Sequence, residues 1–207
     1  MRRSMIAPFA VLISAIVAIP AWACGFEDPN SVPARQVVLS LVYPKALYTL
    51  GAVDSALRAG VLRREHLTAL ADRLALHRTT ANMRRFAADL ADGAPSGLPA
   101  FSLVLLGPVL WTQFHPGSDG LVADIHTGRP LANGVVIVTD VPVIAALVSG
   151  DISGAKADAS GLVRFYGDSA EIDGLREALA LAFPGGVDQK GRARARGALP
   201  TLVPTFR

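Results

Sequence analysis

The stretch "VVIVTDVPVIAALVSGDISGAKADASGLVRFYGD", Val135 to Asp168, decides the fold. Val135 to Thr139 is an apolar run of strand length, rich in β-branched residues. Asp140 follows as a helix cap and Pro142 falls in the first turn, so Val141 to Ser149 is predicted to be a helix. Gly150 stops it. Ser153 caps a short Ala-rich turn, and "GLVRFYG", Gly161 to Gly167, returns as a strand. An apolar helix held between two strands is laid on a sheet.

Working outward, the residues before this stretch read as strands. "FSLVLL", Phe101 to Leu106, "VLWTQF", Val109 to Phe114, and "LVADIH", Leu121 to His126, are separated by "GP" and "HPGSDG". The last alternates, with Leu121, Ala123 and Ile125 on one face. Downstream, Ile172 to Ala182 is predicted to be a helix. Before Pro99 the pattern is helical. Pro44 opens a helix over Lys45 to Leu62, and Glu65 to Leu76 carries Leu67, Leu70 and Leu74 at helical spacing. A third helix, capped by Thr79 or Thr80, sets Met83, Phe86, Ala87 and Leu90 on one face and ends at Gly93. Val37 to Val42 fits either a strand or a helix start, and Cys24 to Arg35 reads as loop, with Pro29 and Pro33 as breakers. The expectation is an α+β chain: a helical N-terminal region, 24–97, then a roughly five-stranded sheet covered by helices, 98–184.

The two ends differ from this body. Arg2 and Arg3, an uncharged apolar run from Ile6 to Pro20, and "AWA", Ala21 to Ala23, read as a signal peptide expected over residues 1–23. The run is short for a bilayer-spanning helix, which needs about 20 apolar residues. The chain is therefore expected to be exported, periplasmic or secreted. Cys24 is the only cysteine, so no internal disulfide can form. Its place after the cut allows three fates: lipoprotein anchoring, pairing with another molecule, or a free thiol. Residues 185–207 are expected to form a basic, flexible tail, with "KGRARARG" from Lys190 to Gly197. The net charge is +3, and the high isoelectric point comes largely from this tail. Contact of the tail with an anionic membrane surface is the sharper reading of it, and no nucleic-acid partner is expected.

Catalytic and cofactor motifs are absent. There is no HExxH, paired CxxC, Walker loop, GxGxxG or GxSxG. "SGAK", Ser153 to Lys156, matches SxxK, but "HTG", His126 to Gly128, precedes it and no SDN lies between, so Ser153 is read as a helix cap. The histidines are His66, His77, His115 and His126. Asp124 and His126 fall on one face of an ideal strand and could pair as acid and base. Cys24, Glu27 and Asp28, with a free terminal amine, could chelate a metal. No metal or other cofactor is otherwise expected.

The element order of Pro99 to Phe183 resembles the sterol carrier protein family. The matching features are the strand Val135 to Thr139, the helix Val141 to Gly150 with its small-residue-Gly stop, the short helix Ser153 to Ser160, and the Gly-led strand Gly161 to Asp168. The resemblance implies helices over a five-stranded sheet, with acyl chains or sterols held between them. Trp111, Phe114, Ile144, Leu147 and Phe165 are then the candidate ligand-binding residues. The same residues, with Val148, equally suit a filled core. Two functions follow as expectations. One is non-catalytic binding of an apolar small molecule or lipid. The alternative is a periplasmic accessory, protein-interaction or metal-handling module that uses the Cys24 segment.

Overall fold

The computed structural model describes residues 24–67, 72, 74–94, 98–118 and 120–186. The expected signal segment 1–23, and the basic tail from residue 187 onward, lie outside the described residues. A 3-10 turn, Pro29–Ser31, leads into α1, Val32–Val42, and then α2, Ala46–Arg58. A second 3-10 turn, Arg64–His66, precedes α3, Ala75–Gly93. Strands β1, Phe101–Leu105, β2, Leu110–Gly117, β3, Gly120–Thr127, and β4, Val135–Thr139, follow in succession. After them come α4, Val141–Ser149, α5, Gly154–Ala159, β5, Arg164–Tyr166, and α6, Ser169–Ala182. The fold is α+β.

The five strands form one sheet in the order β3-β2-β1-β4-β5. β1 and β4 pair in parallel and every other pair is antiparallel. All residues of β1 and β4 are buried, which explains their unbroken apolar runs: helices cover both faces of the sheet. On one face Phe101, Leu103, Phe114, Val135 and Ile137 pack with α3, α4 and α6. On the other, Val104, Trp111, Val136 and Val138 pack with Val32, Leu39 and Ala46 of α1 and α2.

α4 is apolar all round because it is surrounded: Val141, Val143, Ile144, Ala146 and Leu147 are all buried. Asp140 caps it, its Oδ1 accepting from the N–H of Val141 (2.8 Å) and of Gly107 (2.9 Å). Gly150 closes it at φ 79°, a left-handed conformation suited to glycine. Ser153 caps α5 by accepting from the Lys156 N–H, the structural role expected for "SGAK". The interior between α3, the sheet and α6 is built on aromatic contacts. Phe101 stacks on Phe114 (4.6 Å), Phe114 meets Phe86 edge-on (6.0 Å), and Phe86 stacks on Phe183 (5.2 Å).

The N-terminal half departs from the sequence expectation at four places. Residues expected as loop up to Arg35 already enter α1, with Pro33 in its first turn where a missing N–H costs nothing. The helix expected from Lys45 begins one residue later. Lys45 itself adopts φ 70°, and α1 and α2 bend by 118° across it. The helix expected over Glu65 to Leu76 does not form at its start, where Arg64–His66 is a 3-10 turn and Leu67 is extended; Ala75 and Leu76 at its end open α3, and Leu70 lies outside the described residues. Leu67 and Leu74 are exposed, so their helical spacing has no apolar face to meet. Thr79 is buried inside α3 rather than capping it, and Met83, Phe86, Ala87 and Leu90 are buried as expected.

Candidate metal centre

Cys24, Glu27 and His126 converge from two distant parts of the chain. One ligand atom from each lies within 4.8 Å of the others. Two local features of the backbone produce this meeting.

The first is a turn. The N–H groups of Glu27 and Asp28 both donate to the Cys24 carbonyl (3.0 and 2.9 Å), folding Glu27 back over Cys24. Gly25 docks this turn on the β1–β2 loop by donating its N–H to the Pro108 carbonyl. A side chain at Gly25 would collide with Val32 Cγ2 and stand 2.8 Å from the Pro108 oxygen, so only glycine permits the approach.

The second is a β-bulge. Trp111 pairs with Thr127 and Thr112 pairs with Ile125, so His126 is the extra residue of β3. It adopts φ 70°, left-handed for a non-glycine residue. This overturns the expected Asp124–His126 pair. An ideal strand would put both on one face, but the bulge turns His126 away, toward the Cys24 turn. Asp124 faces His115 instead (3.4 Å). Val109, in the loop that receives Gly25, is also left-handed at φ 48°, a costly conformation for a β-branched residue. Strain therefore sits on both sides of the cluster.

The donor set is chemically suited to a cation of borderline softness: a thiol sulfur, an imidazole nitrogen and a carboxylate oxygen. His126 Nε2 stands 3.5 Å from Glu27 Oε2, near the ~3.4 Å edge of a tetrahedron with bonds of ~2.1 Å. That nitrogen is buried and makes no hydrogen bond among the described residues. Cys24 is buried, and desolvation pushes its thiol pKa up. Hydrogen bonding from the backbone N–H groups of Phe26 and Glu27 pulls the other way, and the Glu27 charge adds a smaller upward push. The free cysteine is thus a neutral thiol that a bound metal would deprotonate. Glu27 is about half exposed, so the cluster opens to solvent. Asp28, the other carboxylate expected near Cys24, is not in the cluster, and His126 takes the place the sequence left unassigned.

The remaining histidines are dispersed. His66 faces Asp151 (3.6 Å), and His77 lies in the first turn of α3. The apolar candidates separate by sheet face. Phe114, Ile144 and Leu147 are buried in the main core, each no more than 2% exposed, with Phe165 at its margin beneath the Arg176 guanidinium (5.3 Å). Trp111 lies on the opposite face, beside Tyr43 (6.1 Å). Comparison with protein-family models, with curated proteins and with solved structures gave no match.

Proposed function

We propose that the chain is an exported metal-handling accessory protein whose site is Cys24, Glu27 and His126. The observation that carries this reading is the convergence of three different donor types, with His126 Nε2 buried and without a hydrogen bond among the described residues. Glu27 is half exposed, so the cluster meets solvent on one side, the arrangement of a site that exchanges or presents its ion rather than sealing it for structure. Cleavage after Ala23 would supply the α-amine of Cys24 as a further donor on the same residue. Zn²⁺ is the natural probe and Co²⁺ its spectroscopic stand-in.

The test is titration of the full chain with Co²⁺ and then Zn²⁺. The expected result is a near-ultraviolet thiolate-to-cobalt band that saturates at one equivalent and is displaced by Zn²⁺. Cys24→Ser abolishes the band, and His126→Ala weakens binding by about tenfold or more. Equal weak binding by wild type and Cys24→Ser overturns the proposal.

Carriage of an apolar small molecule or lipid is the second reading. It rests on the helix-over-sheet arrangement of α4 and on the margin residue Phe165. The full burial of Ile144, Leu147 and Phe114 weighs against it, since a ligand wall needs surface to offer.

A further inference from the structure

The outward face of the α1–α2 corner carries almost no charge. From Pro33 to Gly51 the exposed residues are Pro33, Ala34, Val37, Val38, Leu41, Val42, Pro44, Lys45, Leu47, Tyr48 and Gly51. A surface helix ordinarily turns charged and polar residues outward. Here Leu41 is 78% exposed and Tyr48 70%, and Lys45 is the only ionised group on the face. Six of the ten large apolar side chains exposed among the described residues fall between Val37 and Tyr48. Isolated exposed apolar residues need no explanation, but a contiguous patch marks a docking surface.

We propose that this corner docks on an anionic lipid bilayer, laying α1 and α2 in the interface. Three observations select lipid. First, α1 through α2, Val32 to Arg58, holds Arg35, Lys45 and Arg58 against Asp54 as its only acidic residue, so its net charge complements anionic headgroups. Second, Tyr48 and Lys45 are both exposed on this corner, an amphipathic ring and a long ammonium side chain of the kinds that meet headgroups. Third, a groove of about 340 Å³ opens beside Lys45, lined also by Arg164, Arg176, Asp158 and Tyr166. Asp158 is paired with Arg176 (3.1 Å), while Arg164 Nε is buried without a hydrogen-bond partner among the described residues. The groove is thus net basic and fits an anionic headgroup.

The geometry also sets the mode of contact. Among the described residues no single helix is long and apolar enough to cross a membrane. Residues Pro29 to Val42 and α2 pass such a test only together, with a 118° bend between them, and a bent pair that keeps its other face on the sheet suits an interfacial position.

The test places a polarity-sensitive fluorophore on single cysteines in the full chain carrying Cys24→Ser. One label is at Leu41→Cys on the patch. The other is at Ala81→Cys, exposed on α3 across the sheet. The probe is a vesicle of equimolar phosphatidylcholine and phosphatidylglycerol. The expected result is co-sedimentation with a blue shift at position 41 and none at position 81. Lys45→Glu is expected to weaken vesicle binding by about tenfold. Co-sedimentation without a shift at position 41 overturns the proposal in favour of contact through another segment. A shift without vesicles that grows with protein concentration overturns it in favour of a second copy. A shift without vesicles that is independent of concentration assigns the face to the chain's own leading segment. Failure to co-sediment overturns it outright. Leu41 is almost fully exposed, so its replacement leaves the fold intact, and an unchanged melting curve verifies this.

Discussion

His126 Nε2 stands 3.5 Å from Glu27 Oε2 because the bulge at the end of β3 removes His126 from the strand face on which Asp124 remains. A one-residue irregularity thus brings a C-terminal-half imidazole onto the N-terminal turn that holds Cys24. Straightening the bulge would send His126 back beside Asp124 and leave Cys24 and Glu27 without a nitrogen donor.

The turn is as necessary as the bulge. Gly25→Ala places a methyl group against Val32 Cγ2 and the Pro108 carbonyl and is expected to lift Cys24 and Glu27 off the β1–β2 loop. Cobalt affinity should fall by about tenfold or more. Gly51→Ala is the control. Nothing lies within 4 Å of its added Cβ, and alanine in an exposed helix position should leave cobalt binding unchanged and raise stability by about 0.5–1 kcal/mol. Parallel cobalt titrations and thermal melts check both.

The first ligand also depends on processing. Cleavage between Ala23 and Cys24 is expected in the exported protein, and N-terminal mass analysis measures it. A mature chain beginning at Cys24 should bind cobalt more tightly than the uncut chain, because an α-amine and a thiol on one residue chelate together. Retention of residues 1–23 contradicts the export reading, and a diacylglycerol mass on the cysteine assigns the chain to the lipoproteins.

Asp140 makes stability depend on pH. Burial raises its carboxyl above the ordinary value of 3.8, although the Gly107 and Val141 N–H groups favour the ionised form. The folded chain therefore keeps this proton to higher pH than the unfolded chain. Its contribution to stability falls as pH rises from the ordinary carboxylate value through the raised one, and then levels off. Asp140→Asn retains an oxygen acceptor for both N–H groups and carries no charge. Urea midpoints measured from about pH 4 to pH 7 should move in favour of the Asn variant as pH rises. Asp140→Ala should cost about 1–2 kcal/mol at every pH, because it leaves the two N–H groups without their acceptor.

Leu147→Phe separates a filled interior from one that holds an apolar ligand. Leu147 is fully buried, in the cluster that includes Phe86 and Phe114, so the larger ring should overpack it and cost about 1–3 kcal/mol. The expected outcome is a lower denaturation midpoint, with no saturable fatty-acid binding by the wild type. Saturable binding that the variant loses at unchanged stability would restore the carrier reading.

Much of this fold was legible in the sequence. β4 and α4 have the ends that Val135 to Ser149 implied, because the Asp140 cap, Pro142 and Gly150 act over a few residues and need no distant partner. Met83, Phe86, Ala87 and Leu90 are buried for the same reason: helical spacing defines a face whatever that face meets. Tertiary structure alone decided three things. It decided that Trp111 and Phe114 serve opposite faces of a sheet covered on both sides, since the alternation of a strand names two faces but not what covers each. It decided that Glu65 to Leu67 is not α-helix, since spacing without a receiving surface does not offset the entropy of ordering the backbone. It decided the metal cluster, since Cys24 and His126 meet only through a bulge and a glycine-tight loop contact, and a register shift of one residue leaves no periodic mark in the sequence.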